Sequence, residues 1–251
     1  MSEPLAGGFF RANFLETVGS TSDEARAYAE AGDPEGAMVV AARQDSGRGR
    51  AGRAWASPAG NLYVSFVLRP DCPPATAAQL SFVSAVALAE AFDALAPGSL
   101  DIRLKWPNDV LLGGRKVAGI LLESAPAGDR VAWVVVGVGV NLVSHPTDSR
   151  WPATDLSKIG VGASPRETLE AFATAFRARY GAWRTRGFEP IREAWLARAF
   201  SLGQTIEIAL GSERLAGRFA GIDASGALAL ALPGNETRKI AAGEIQVPAA
   251  A

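Results

Sequence analysis

Hydrophobic and polar residues alternate with different periods along this chain, and the changes of period predict its elements. Thr21-Ser22-Asp23-Glu24 reads as a capping box, in which the Thr21 oxygen and the Glu24 carboxylate satisfy first-turn amides. The helix it opens ends near Gly32-Asp33-Pro34. Residues 37–43 and 61–68 are β-type runs separated by a Gly/Arg-rich loop. Residues 74–95 carry Leu80, Val83, Ala87, Leu88 and Ala91 at the three-and-four spacing of a helix lying on a sheet. Residues 101–106, 109–112, 116–123 and 131–142 form a strand-rich block. Pro107-Asn108, Gly113-Gly114 and Ala127-Gly128-Asp129 interrupt it, as antiparallel hairpins require. Helical periodicity returns over 165–186, where Pro165 suits a first turn, and over 189–198. Beyond Phe200, short strands are punctuated by Gly211-Ser212, Asp223-Ala224-Ser225-Gly226 and Pro233-Gly234-Asn235, the pattern of a small barrel or sandwich. The reading is an α+β chain of two domains: residues 1–199, a mixed or antiparallel sheet with flanking helices, and residues 200–251, a small all-β domain.

Composition narrows the chemistry. With 251 residues and 48% apolar content, the chain buries a full core without staples. Its 25 Lys and Arg nearly balance 26 Asp and Glu, so there is no general attraction to nucleic acid or anionic membrane. Cys72 is the single cysteine and His145 the single histidine, which excludes an internal disulfide and a structural zinc site. A Ser/His/Asp machine would rest on His145 alone, in a loop-like stretch. Residues 131–143, the most apolar segment, are too short for a membrane span, and the first ten residues lack the basic and apolar regions of a secretory signal. The expectation is a cytoplasmic protein whose chemistry runs on Arg, Lys, Asp and backbone.

Three segments carry that chemistry. Gly47-Arg48-Gly49-Arg50-Ala51-Gly52 satisfies G-x-G-x-x-G, but Pro58 and the following strand leave no helix for a dinucleotide fingerprint. What remains is Arg48, Arg50 and Arg53 on a glycine-loosened backbone, suited to clamping a phosphate or carboxylate. Of only four lysines, Lys105 and Lys116 fall in the hairpin block, in Lys105-Trp106-Pro107-Asn108-Asp109 and Lys116-Val117-Ala118-Gly119-Ile120. A lysine supplies a compact charge for a developing oxyanion, and Asp109 is placed to hold magnesium or to position a lysine. Val136-Gly137-Val138-Gly139-Val140-Asn141 alternates glycine along an apolar strand, as for close approach of a backbone or ligand.

In wording and order these segments resemble the biotin protein ligases. The resemblance begins at Thr17-Val18-Gly19-Ser20-Thr21, continues through Gln44, the Gly47 to Trp55 loop, Ser57-Pro58 and Asn61-Leu62-Tyr63, and ends at Gly137-Val138-Gly139-Val140-Asn141. It implies a fold like that of class II aminoacyl-tRNA synthetases, with an SH3-like β-barrel at the C-terminus. It implies activation of biotin by ATP and Mg²⁺ to biotinyl-5'-AMP, then transfer to a lysine of a biotin carboxyl carrier protein, commonly that of acetyl-CoA carboxylase. By the same resemblance Ser20, Thr21, Ser22 and Gln44 meet the ureido end of biotin, with Gly47, Arg48, Gly49 and Arg50 folding over it, Lys116 at its carboxylate and Gly119 leaving room for its rings. Arg50, Arg53, Trp55, Lys105, Asn108, Asp109, Lys116 and Asn141 fall to ATP. Lys116, Arg48, Arg50, Asp109 and Lys105 are the expected catalytic set, and Asp109 the expected magnesium ligand.

The chain departs from the family pattern at Ser22, commonly Asn, and at Ala51, commonly Arg or another polar residue. The motifs begin within the first twenty residues, which leaves no room for the DNA-binding domain of some members and predicts a monofunctional enzyme. A homodimer is left open. The rival readings are a lipoate or octanoate ligase or transferase, and a biotin-binding sensor. The first uses lipoate in place of biotin, and the second releases no pyrophosphate.

Overall fold

The computed structural model describes residues 2–98, 100–211 and 213–246; Ser212 of the expected Gly211-Ser212 turn and the end of the expected second domain lie outside them. Strands β1 (Glu3–Leu5), β2 (Phe10–Val18), β3 (Ala37–Gln44), β4 (Leu62–Leu68), β5 (Ile102–Lys105), β6 (Asp109–Leu112), β7 (Arg115–Ala127) and β8 (Arg130–Val140) form one sheet in the order β1-β2-β3-β4-β8-β7-β6-β5. All neighbours are antiparallel except β2 and β3, which run parallel because helix α1 (Thr21–Glu30) crosses between them. The first two strands carry no signal in the sequence pattern. β2 alternates only in its first three residues and is then mostly exposed, as an outer strand paired by β1 over Phe10 to Ala12 alone.

Each face of the sheet is covered differently. On one side Ala25 and Ala29 of α1 pack on Val39, Val67, Trp133 and Val135. The other side carries helices α2 (Pro74–Ala77), α3 (Leu80–Leu95), α4 (Pro165–Arg186) and α5 (Glu189–Leu196). The sequence predicts a helix lying on one face; α3 is instead buried almost all round, because α4 and α5 close over its outer side. The apolar helical stretch Pro74–Leu95 is therefore a core element, with 78% of its most apolar 18-residue window buried. Helix α4 begins as its sequence dictates, with Ser164 and Glu167 forming a capping box and Pro165 in the first turn.

The expected capping box at α1 does not form. Its N-cap is Ser20, without a side-chain cap bond, and the Thr21 hydroxyl turns away to partners on other strands. Strands β9 (Thr205–Leu210), β10 (Glu213–Ile222), β11 (Leu228–Ala231), β12 (Thr237–Ile240) and β13 (Glu244–Ile245) form a second, antiparallel sheet in the order β12-β11-β10-β9-β13. Among the described residues no ladder joins β12 to β13, so barrel closure is not seen. This sheet docks through apolar packing, with Phe219 edge-on to Trp195, and through backbone carbonyls. Trp106 Nε1 donates to the Gly226 carbonyl at 3.1 Å and Gln79 Nε2 to that of Ala224 at 3.2 Å. Gly226, at φ +88°, lies so close to Phe82 that a Cβ would stand 2.7 Å from its ring.

Candidate active site

A cavity of about 720 Å³ opens where the N-terminus of α1, the 44–57 loop, the centres of β7 and β8, the 146–151 segment and β13 converge. Its floor is a pair of strands thinned by glycine at three positions. Gly119 of β7 and Gly139 of β8 face each other in register, and Gly137 lies opposite Leu121. A Cβ on Gly139 would stand 2.6 Å from the Trp55 indole, one on Gly119 2.9 Å from it, and one on Gly137 2.7 Å from Ser22 Oγ. The alternating glycines thus serve as a seat for Trp55 and an opening beside Ser22. Trp55 Nε1 is the buried side-chain polar atom that finds no partner among the described residues.

One end of the cavity is neutral and polar. Gln44 Oε1 accepts from the Thr21 amide at 2.8 Å and the Thr21 hydroxyl at 3.1 Å, and so caps α1 from a neighbouring strand. Ser65, fully buried in the middle of β4, lies 2.8 Å from Thr21 Oγ1 and 3.2 Å from Ser22 Oγ. Gln44 Nε2 donates to Ser57 Oγ at 2.8 Å, and Ser57 to the Trp55 carbonyl at 2.9 Å.

The other end is charged. The β5–β6 hairpin places Lys105 opposite Asp109, and Asp109 pairs in turn with Gly119. A bulge beside Val117 lets Lys116, three residues before Gly119, reach the same face of β7, which an unbroken two-residue alternation forbids. The result is a chain of charges: Lys116 Nζ stands 2.6 Å from Asp109 Oδ1 and Lys105 Nζ 3.3 Å from Asp109 Oδ2. Burial pushes the Asp109 carboxyl up, but the two ammonium groups outweigh it and hold it below the usual carboxylate range. Burial lowers Lys105, against the pull of Asp109. Lys105 also lies over the Trp151 ring, 4.4 Å from its centroid.

The 44–57 loop is a narrow irregular hairpin, tied by Trp55 N to the Gly47 carbonyl at 2.9 Å and Gly49 N to the Arg53 carbonyl at 2.7 Å. It turns at Ala51 and Gly52, both left-handed at φ +54° and +70°. Gly47 has no room for a side chain, since a Cβ would meet Ser57 Oγ and the Trp55 carbonyl at 2.5 Å. Ion pairs clasp the loop on both sides. Arg48 reaches Asp23 at 2.8 Å and Glu123 at 3.3 Å, where Arg26 also binds Asp23. Arg53 reaches Glu244 of β13 at 2.8 Å, with Arg150 3.8 Å away on the same carboxylate. Burial would raise Glu244, but pairing with Arg53 holds it below its usual value. Arg50 donates to Asn108 Oδ1 at 3.2 Å and to the Gly243 carbonyl at 3.4 Å, and burial lowers its pKa.

Most of the expected site residues converge here. Ser20, Thr21, Ser22, Gln44, Gly47, Arg48, Gly49, Arg50, Arg53, Trp55, Asn108, Asp109, Lys116 and Gly119 all line the cavity. Two expected residues lie off the cavity wall, and a third that lines it is paired in a way that bears on its expected metal role. Asn141 does not line it; its Nδ2 donates to the Thr154 carbonyl at 3.0 Å and fastens the 152–156 segment to the sheet. Lys105 lies beneath the cavity, 1% exposed, and is paired with Asp109. Asp109 does not fit magnesium, because both of its oxygens face ammonium groups and a divalent ion would add charge to a net positive cluster. No cluster of three or more His, Cys, Asp or Glu suited to a metal occurs among the described residues. Ser65 and Glu244 escape the sequence reading. A serine inside the otherwise apolar run of β4 is a visible signal for the first; the second meets Arg53 across 191 residues of chain and leaves none.

Comparison with known proteins bears on this geometry. Residues 19–141 match the model of the biotin/lipoate A/B protein ligase family, and residues 201–247 that of the biotin protein ligase C terminal domain. The chain is 44% identical over 225 residues to the biotin--[acetyl-CoA-carboxylase] ligase of Paracoccus denitrificans, covering 87% of this chain and 93% of that one. The biotin protein ligase of Aquifex aeolicus, solved with biotin and ATP, superposes with a TM-score of 0.78 at 27% identity over 94% of this chain and 97% of that one. The Leishmania major enzyme, solved with biotinyl-5-AMP, gives 0.63 at 25% identity, covering 92% and 98%.

Proposed function

Since the chain belongs to the biotin protein ligases, we propose that this cavity performs the two half-reactions of that family. A carboxylate oxygen of biotin attacks the α-phosphorus of ATP, the bond to the β-phosphate breaks, and pyrophosphate leaves. The amine of an acceptor lysine then attacks the acyl carbon of biotinyl-5'-AMP, loses a proton and releases AMP. The observation that carries the reading is the polarity of the cavity. A neutral end of hydroxyls and an amide suits a ureido ring, a glycine-thinned strip between Leu121 and the Trp55 indole suits a flat bicycle and its valeryl chain, and a cationic end suits a carboxylate meeting a phosphate.

Each residue then has a task. Thr21, Ser22, Ser65 and Gln44 hold the ureido group. Lys116, held at 2.6 Å by Asp109, stands where the carboxylate and α-phosphate join, and neutralises charge that grows in the transition state. Arg50 and Arg53 face the phosphates, and Trp55 offers its indole to the base or the bicycle. Arg48 is committed to Asp23 and Glu123, so its first role is to close the loop; an incoming anion competes with two carboxylates for it. The closed hairpin keeps water from an acyl-adenylate that hydrolyses readily. Magnesium is proposed to arrive on the nucleotide's own phosphates.

The acceptor is proposed to be the biotin carboxyl carrier domain of acetyl-CoA carboxylase, met in the cytoplasm, and the chain to divide near residue 200, as the two matched segments support. The test is pyrophosphate release from the purified protein with ATP and magnesium, comparing biotin, lipoate and no acid. Release with biotin, limited to about one turnover without acceptor, is expected. Release with lipoate alone moves the assignment within the family, and release with neither removes the catalytic reading.

A further inference from the structure

Four hydrogen bonds at the neutral end fix the direction of the Thr21, Ser65 and Ser22 hydroxyls. The Thr21 amide can only donate, so the Gln44 atom 2.8 Å away is the carbonyl oxygen, and the amide has one orientation. That oxygen cannot donate, so the Thr21 hydroxyl hydrogen points to it, at 3.1 Å. With its hydrogen committed, Thr21 Oγ1 must accept from Ser65 at 2.8 Å. Ser65 has then used its own hydrogen, and must accept from Ser22 at 3.2 Å. The donors run in one line, Ser22 to Ser65 to Thr21 to Gln44, set by a backbone amide at its end.

We infer that Ser65 is a specificity-determining residue: it spends its own hydrogen on Thr21 and takes that of Ser22, so that these three hydroxyls turn lone pairs to the cavity, accept an N–H donor and reject an acceptor. The inference rests on the biotin reading and deepens it. Ser65 is suited to the part because it is fully buried on a central strand, with its Oγ just 3.3 Å from the place a Gly137 Cβ would take. Its hydroxyl has no solvent partner to turn to, so the line cannot reverse without breaking the bond to Thr21. Gln44 Nε2 keeps one hydrogen beyond its bond to Ser57, a donor on the loop side that suits a carbonyl. The pair of preferences reads a ureido group in one orientation, N–H toward the hydroxyls.

The test is equilibrium binding by calorimetry, without ATP, of biotin and of its two cyclic carbamate analogues, in which a ring oxygen replaces one ureido N–H at nearly constant shape. For the wild-type protein, the analogue that sets oxygen against the hydroxyls is expected to bind at least about 100-fold more weakly than biotin. In Ser65→Ala the line is cut, Ser22 is free to donate, and this ratio is expected to fall at least about tenfold. Ser22→Ala is expected to weaken biotin while keeping the ratio, because Ser65 still donates to Thr21 and still offers lone pairs. A thermal melt of each variant separates folding from selectivity, and the wild-type ratio needs no variant. Wild-type protein that binds biotin and both carbamates within a few-fold of each other overturns the inference alone, as does Ser65→Ala weakening all three equally. No binding of biotin by the wild-type protein overturns the functional reading and the inference together.

Discussion

Replacing Asp109 with Asn separates what the buried charges do for stability from what they do for chemistry. Asp109 is the one anion between Lys105, 1% exposed, and Lys116, 24% exposed, at 3.3 and 2.6 Å. Each attraction is about 5 to 6 kcal/mol at an effective dielectric near 20, but most of it offsets the cost of taking the ions from water. What the substitution reveals is the cost of leaving Lys105 without a counterion, about 3 to 5 kcal/mol. In a chain of this length that lowers Tm by about 6 to 20 °C. Burial already pulls the Lys105 pKa down, and without Asp109 it falls further below its unfolded value. Between the two values the unfolded chain binds more protons, so the variant gains stability as pH rises, and its deficit relative to the wild type narrows. The assay is thermal unfolding by calorimetry across neutral to alkaline pH, beside pyrophosphate release. Lys105→Met with Asp109→Leu removes the charges together and is expected to recover most of the lost stability while adenylation stays low, since Lys116 has lost its guide. A Tm within about 2 °C of wild type for Asp109→Asn, or a deficit indifferent to pH, refutes the argument that Asp109 neutralises Lys105.

Four further outcomes are expected. Lys116→Ala loses about 2.7 to 4 kcal/mol of transition-state stabilisation, seen as a fall in the rate of pyrophosphate release with little change in biotin affinity; equal losses make Lys116 a ground-state ligand. Gly139→Ala drives a methyl to 2.6 Å from Trp55. Because β8 is held by β4 and β7 on either side, the ring should yield first, so adenylate leakage rises while Tm changes little; a large fall in Tm with tight retention shows the strand yielding instead. Glu244→Gln releases Arg53 and is expected to raise leakage several-fold at low salt and less at high salt, measured by hydrolysis of the adenylate without acceptor. Asp223 accepts from Ser225, Ala227 and Lys239, and these contacts hold its pKa down, to about 2, against burial, which raises it. Its contribution is present above the ordinary carboxylate pKa and lost as pH falls toward 2, so the stability gap between wild type and Asp223→Asn, small because the site is solvated, should close in acid.

Where a side chain's partner lay in the same short motif, the sequence was a good guide. Lys105 and Asp109 face each other across one hairpin, and the glycines of β8 announce a thinned floor in their own spacing. Where partners come from distant strands, local rules misled. Thr21 looks like a helix cap because Glu24 follows at the right distance, yet Gln44 and Ser65 offer its hydroxyl a better buried pair. Asn141, which the resemblance assigns to the nucleotide, lies just past the end of β8 with its Nδ2 on the Thr154 carbonyl, a partner its own motif does not announce. Asp109 suggested a metal because its lysine neighbours could be read from sequence while their convergence on both its oxygens could not. The first two strands had no periodicity to detect, being short or half-exposed.

The way the second sheet is attached bears on how such chains can be recombined. Its turn at Ala224 to Gly226 is gripped by donors that ask only for carbonyl oxygens, and Arg50 likewise reads a carbonyl at Gly243. Backbone carbonyls are common to every sequence, so a foreign C-terminal module of the same shape would keep these bonds, provided it kept the glycine beside Phe82 and an apolar side chain where Phe219 meets Trp195. The carboxylate at Glu244 is different, because it is the only side chain of that module bonded to the loop among the described residues. A chimera would therefore inherit its polar docking bonds from geometry, and its grip on the loop from a single transplanted acid.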